Sequence, residues 1–335
     1  MTIRNMGDMA QSFQLRRSSA DLRSRLTDLA KEMISTRKSD IGREISGQFE
    51  PLADVERGLG LMSSYSTSLA SAATLLEAQQ AGLSSIRSEI DAIGDSLINA
   101  RTLDISSLRR IGEEATHRFS GVVSTLNTRI AGQSVFAGRA TASPALAPAA
   151  EILSAIRDEI AAETTAAGAI TRIEAWFNTP GGAFETMALK GSAQPAGPLR
   201  LTDTETLTLE TTAADPALRD SLRLLATAAI LSDPAALGGD TAAQKELAFL
   251  MGQSAQGSEE RLVGLSAQVG WQEERVETLR TQTGARRTAL EITRNVITSA
   301  DPFETATALK EAEARLDAIF TVTARLSRLS LTEYL

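Results

Sequence analysis

Cysteine is missing from all 335 residues, and histidine occurs once, at His117. Without a thiol the chain can form no disulfide, offer no thiolate to a metal and use no cysteine nucleophile. The lone histidine is equally limiting. In GEEATHRF, Glu113 lies four residues before His117 and would share its helical face, but zinc and similar metals take three or four donors. A Ser-His-Asp centre would also need His117, and no G-x-S-x-G elbow accompanies it. No G-x-x-x-x-G-K-[ST] loop occurs, and the G-x-G of RGLGLMSS (57–64) lacks a third glycine and a preceding strand, so it reads as a turn leading into a helix. Adjacent carboxylates at Glu113 and Glu114, Glu259 and Glu260, and Glu273 and Glu274 read as solvated helix faces, because acid–base chemistry needs surroundings that drive two pKa values apart. The expectation is a protein with no catalytic residue, no cofactor, no metal and no enzymatic role.

Aromatic residues make up only 4% of the chain, and Ala, Leu, Ser and Thr fill much of it. Such a composition suits thin layers of small aliphatic side chains between helices better than one thick globule. No run approaches the ~20 apolar residues that span a bilayer. The N-terminus is charged throughout and lacks the apolar stretch of a secretory signal peptide. A net charge of -8 argues against a nucleic-acid binder, which needs clustered Lys and Arg. Arg16, Arg17, Arg23 and Arg25 do concentrate near the N-terminus, interleaved with Asp21, Asp28 and Glu32. That pattern marks a solvated or partner-facing helix surface.

The positive signal is periodicity. Leu15, Ser19, Leu22, Leu26, Leu29, Met33 and Thr36 alternate steps of four and three, which predicts a long amphipathic helix with a heptad seam. DIGREISGQFEP, ending at Pro51, breaks it with Gly42, Gly47 and Pro51. A longer seam follows: Met62, Tyr65, Leu69, Ala72, Leu76, Gln79, Leu83, Ile86, Ile90, Ile93, Leu97 and Ala100. After a short break the pattern resumes at Leu108, Ile111, Ala115, Val122 and Leu126, and it ends near LNTRIAGQSVFAG.

Proline then signals a different region. Seven of the nine prolines fall between Gly138 and Pro234. Two short helices (149–162 and 168–178), a strand pair around Leu201, Leu207 and Leu209, and a helix from Pro216 to Leu231 are expected there. Beyond Asp240 a seam returns through Leu262, Leu265, Val269, Gln272, Val276, Leu279, Thr283, Arg286, Leu290, Thr293 and Ile297. Asp301 and Pro302 signal a fresh helix start, with Leu309, Ala312, Leu316, Ile319, Thr323 and Leu326 on one face. The chain closes on ARLSRLSLTEYL, an unusually apolar terminus with Leu329, Leu331, Tyr334 and Leu335.

The expected architecture is mainly α: a long antiparallel coiled-coil or helical bundle built from both chain ends, with a small inserted α+β domain. Terminal helices occupy 1–43 and 301–335, a long-helix bundle 44–137 and 241–300, and a surface-facing insert 138–240. The two outer helices are natural partners. Paired alone they would bury only one stripe each, so further copies of the chain are the economical cover. The candidate assembly residues are Leu15, Leu22, Leu26, Leu29 and Met33 with Leu309, Leu316, Ile319, Leu326, Leu329 and Leu331.

Three segments carry a family resemblance. LNTRIAGQSVFAGRAT (126–141) resembles the N-x-x-x-x-G-x-x-x-F-A-G signature of the bacterial flagellins, RLVGLSAQVGWQEERVETLR (261–280) their long C-terminal helix, and the last 36 residues their final helix. The S-L-x-x-Y-L ending is most similar to the hook-filament junction branch, hook-associated protein 3. DPFETAT departs from the usual D-x-D-Y-A-x-A, and 41–60 lacks the S-G-x-R-I-N-S-A-x-D-D-x-A-G run. The resemblance implies an extracellular flagellar subunit, exported through the type III channel without a cleaved signal. Its implied partners are copies of itself in a tubular assembly, a neighbouring hook-associated protein, flagellin, and an export chaperone at the C-terminal helix. A filament flagellin is the alternative within the family, and a cytoplasmic coiled-coil scaffold the alternative outside it.

Overall fold

The computed structural model describes the backbone of residues 2–44 and 47–332. It is mainly helical. In chain order it runs α1 (Thr2–Ser35), α2 (Ile41–Glu44), α3 (Glu50–Leu97), a 3-10 turn (Ala100–Thr102), α4 (Ile105–Leu126), β1 (Arg129–Ile130), β2 (Gln133–Ser134), α5 (Ala149–Ile160) and α6 (Ala166–Asn178). There follow a π-helical turn (Phe184–Ala188), β3 (Leu199–Arg200), β4 (Thr206–Leu207), α7 (Pro216–Ala229), two further 3-10 turns, α8 (Thr241–Thr298) and α9 (Pro302–Thr332). The chain divides into two compact units, Met1–Ser63 with Gly284–Leu335, and Ser64–Thr283.

In the second unit the seam of α3 is the spine of the core. From Tyr65 to Leu97 every seam position is buried, and most are fully so. Ala100, the last of the predicted seam, is also buried but belongs to the 3-10 turn beyond α3. Backbones approach closely where side chains are small: a Cβ added at Gly94 would lie 2.9 Å from the Cβ of Ala255, and one at Gly252 would lie 3.0 Å from the carbonyl carbon of Leu97. Asp104 starts α4 by accepting the Ser107 N–H at 3.0 Å, the N-cap arrangement that satisfies an otherwise free helix donor. The buried stripe of α4, Leu108, Ile111, Ala115, Phe119, Val122 and Leu126, packs on α7. At Gly112 an added Cβ would meet the Ser232 nitrogen at 2.1 Å, so only glycine permits that crossing.

The end of α4 explains LNTRIAGQSVFAG. Asn127 closes the helix, and its side chain both donates to the Leu146 carbonyl at 3.1 Å and accepts the Leu146 N–H at 2.8 Å. Ile130 pairs with Gln133 in an antiparallel hairpin. Its two turn residues, Ala131 and Gly132, both have positive φ (49° and 83°), which matches the twist of a two-residue hairpin. Phe136 is buried, and its ring packs tightly on Gly82, where an added Cβ would lie 3.0 Å from Cζ. The 138–240 segment holds the three expected helices, with short 3-10 and π-helical turns besides. Its strand content is the two-residue pair β3–β4, with Leu201, Leu207 and Leu209 buried, and Trp176, Phe177 and Phe184 form an aromatic cluster with ring centroids 4.8–6.4 Å apart.

In the first unit α1 packs along α9, and Asp301 caps α9 by accepting the Phe303 N–H at 2.7 Å and the Glu304 N–H at 3.2 Å. Three readings of the sequence change here. RGLGLMSS lies inside α3 rather than in a turn, and the Leu290 side chain packs closely on Gly58, 3.0 Å from where its Cβ would be. Pro51 stands in the first turn of α3, where its missing N–H costs nothing, so it begins a helix and breaks none. The α8 seam loses its burial after Thr283: Arg286 and Thr293 are exposed, and Leu290 and Ile297 only half-buried.

Candidate assembly surface

The two terminal helices are joined at an elbow. α1 ends where Thr36 takes φ 54°. The chain then crosses the end of α8 as an antiparallel bridge between Arg37 and Ser299, in which the Lys38 N–H donates to the Thr298 carbonyl at 2.9 Å and the Ala300 N–H to the Thr36 carbonyl at 3.0 Å. Ser39 folds back on α1, its N–H donating to Glu32 at 2.8 Å and its hydroxyl to the Asp28 carbonyl at 3.1 Å. These bonds fix where α1 and α9 start along one another.

Along that pair the candidate residues take up graded positions. Leu15, Leu22, Leu26 and Leu29 on α1 and Leu309, Leu316 and Ile319 on α9 are half-buried, and Ala312 is buried. Arg23 adds a guanidinium 5.4 Å from the centre of the Phe320 ring. Met33 is off the paired face, 45% exposed. Leu326, Leu329 and Leu331 belong to α9, but their side chains fall outside the described residues, as do Tyr334 and Leu335 altogether.

Two helices alone leave apolar surface in water, and this unit shows it. Ten of the fourteen large hydrophobic side chains exposed among the described residues belong to it, although it holds about a third of the chain. Ile34, Val296 and Phe303, each more than 70% exposed, flank the elbow. The heptad template missed them because it selects the stripe facing the partner helix. Their signal was bulky apolar type at positions outside that stripe. A surface of this kind can adhere to another apolar surface.

Groups with altered ionisation have structural causes. The hydroxyl of Ser107, then that of Ser106, and the Ser107 N–H hold Asp104 down to about 2. Burial, reinforced by Glu77, pushes Glu273 up. Desolvation opposes the charge of Arg118, but its hydrogen bonds to Glu114 and Glu89 outweigh this and raise its pKa. His117 is exposed on α4. Among the described residues no three His, Cys, Asp or Glu side chains converge to hold a metal, and no helix is long and apolar enough to cross a membrane.

No protein-family model matches the chain, and no curated protein matches it by sequence. Solved structures match the chain by shape, two flagellar proteins among them. One is described as a flagellar hook-associated protein from Vibrio parahaemolyticus, with a TM-score of 0.52 and 14% identity over 73% of this chain and 94% of that one. The other is FlgL from Bacillus cereus, with a TM-score of 0.50 and 16% identity over 71% and 96%. The chain shares their fold. At such identity the likeness is one of architecture, and it spans nearly the whole of each of those two proteins.

Proposed function

We propose that this chain is a structural, non-enzymatic subunit of the bacterial flagellum that joins hook to filament. The observation that carries the reading is the fold shared with two flagellar proteins, one of them described as hook-associated. Independent support comes from the N-x-x-x-x-G-x-x-x-F-A-G segment at 127–138 and the S-L-x-x-Y-L ending. On this reading 1–43 and 301–335 form the self-assembling coiled-coil layer, 44–137 with 241–300 a second layer, and 138–240 the outward-facing insert. The half-covered leucines of α1 and α9 are buried by further copies in a tube. The chain leaves the cell without a cleaved signal, held beforehand by a chaperone at the C-terminal helix, and in place it meets a hook-associated protein on one side and flagellin on the other.

Electron microscopy of a strain lacking the chain tests the reading. Intact hooks without filaments are expected. Filaments still attached but fewer or altered would assign the chain to the filament instead, and unchanged flagella would remove it from the organelle.

A further inference from the structure

We infer that a groove between α3 and α8 in the second unit receives the basic stretch Phe13–Arg17 of α1 from a second copy of the chain. The close approach of the helices at Gly94 and Ala255, and at Gly252 and Leu97, leaves a groove of about 520 Å³ beside the crossing. Its apolar lining includes Ile98 and Phe249, and Ile98 is 61% exposed. Asp91, Asp95 and Glu259 stand on its rim. The cations nearby are already engaged: Arg87 pairs with Glu259 at 3.1 Å, and Arg101 pairs with Glu246 at 2.7 Å and lies 3.7 Å from the centre of the Phe249 ring. Asp91 and Asp95, one helical turn apart, have no ion-pair partner among the described residues. The groove therefore presents an apolar patch at Ile98 and Phe249 within a largely polar lining that includes Gln253 and Gln256, and two unpaired carboxylates at helical spacing.

The complement is on α1. Phe13 is 69% exposed, and Arg16 and Arg17, three and four residues on, are exposed on the same side, since residues at those spacings are helix neighbours. That side is turned away from the half-buried Leu15, Leu22 and Leu26, so pairing with α9 leaves it available. Charge is segregated to match: residues 1–40 hold 8 Lys and Arg against 5 Asp and Glu, in a chain of net charge -8. A bulky ring flanked by two guanidinium groups fits the apolar patch at Ile98 and Phe249 beside two carboxylates, and such complementarity selects partner and register. The contact joins two different surfaces, so repetition extends an assembly instead of closing a twofold dimer.

This inference rests on the reading that copies of the chain assemble. Because the chain has no cysteine, two single-cysteine variants can be mixed without background. Phe13→Cys mixed with Ile98→Cys under mild oxidation is expected to give at least about tenfold more mixed disulfide dimer than Phe13→Cys mixed with Thr74→Cys, an exposed position on α3 outside the groove. Adding Asp91→Arg and Asp95→Arg to the Ile98→Cys chain should abolish that excess, and Arg16→Asp with Arg17→Asp in the Phe13→Cys chain should restore it. Circular dichroism of each variant checks that it is folded. Assembly without the excess cross-link overturns the groove contact and leaves the flagellar reading standing. A chain that stays monomeric and uncross-linked at all concentrations defeats both.

Discussion

The side-chain amide of Gln79, buried in the middle of the α3 seam, donates to the backbone carbonyl of Thr211 at 3.2 Å and to that of Val135 at 3.3 Å. A polar residue in an otherwise apolar stripe is thus the tether between a long helix and two loop segments distant in sequence. Replacing Gln79 with Leu leaves two buried carbonyls unpaired at ~1–3 kcal/mol each, partly offset because Gln79 Oε1 itself has no partner. A net loss of about 2 kcal/mol is expected in denaturant unfolding, with faster amide exchange around 135 and 211.

Glycine positions divide sharply by what surrounds them. Gly112→Ala forces a Cβ into the Ser232 backbone and should cost about 3 kcal/mol or more, because the obstacle is main chain. Gly121→Ala, on the same helix with nothing within 4 Å of its Cβ, should stabilise by roughly 1 kcal/mol through helix propensity. Thermal unfolding of the two variants gives the contrast.

Asp104 makes the second unit sensitive to acid. Its folded pKa, about 2, is below the ordinary aspartate value of 3.8. The capping contribution is therefore fully present above pH 3.8 and is lost as pH falls towards 2. Asp104→Asn should flatten the pH dependence of stability in that window and leave it unchanged at neutral pH and above. An equal slope in both proteins would show that the cap does not titrate there.

The two tryptophans should report separately. Trp271 is 79% exposed and Trp176 only 6%, so iodide is expected to quench the emission of Trp271 and to spare Trp176. Trp271→Phe should remove most of the quenchable signal. Loss of quenching on assembly would place α8 against a neighbour.

Leu22 and Leu316 test the terminal seam. Each is half-buried, and burying a Leu contributes roughly 1.5–3 kcal/mol. Leu22→Asp or Leu316→Asp should abolish assembly in sedimentation experiments while the helical content of the remaining chain persists. Assembly at wild-type concentration by either variant would show that the seam is not the interface.

The helices were legible because burial follows period. All twelve positions of the Met62–Ala100 seam are buried, Gln79 included, and the Asp301–Pro302 start signal stands where it was read. Signals failed where tertiary contact set the backbone. Ala131 is an unexpected residue at positive φ, so the hairpin at 129–134 had no turn signature, and nothing in the sequence pattern marks the π-helical turn at Phe184–Ala188. The α8 seam kept its spacing after Thr283, but Arg286 and Thr293 are exposed there. Periodicity reports which face could be buried, and only packing decides how far along the helix it is. The candidate interface was legible as a stripe, whereas Phe13, Ile34, Val296 and Phe303 became visible only once α1 and α9 had covered each other.

Immunogold labelling of purified flagella tests the central claim most directly. The account predicts gold at a single point on each flagellum, between hook and filament. Labelling along the whole filament, or label absent from flagella and retained in the cell body, would contradict it.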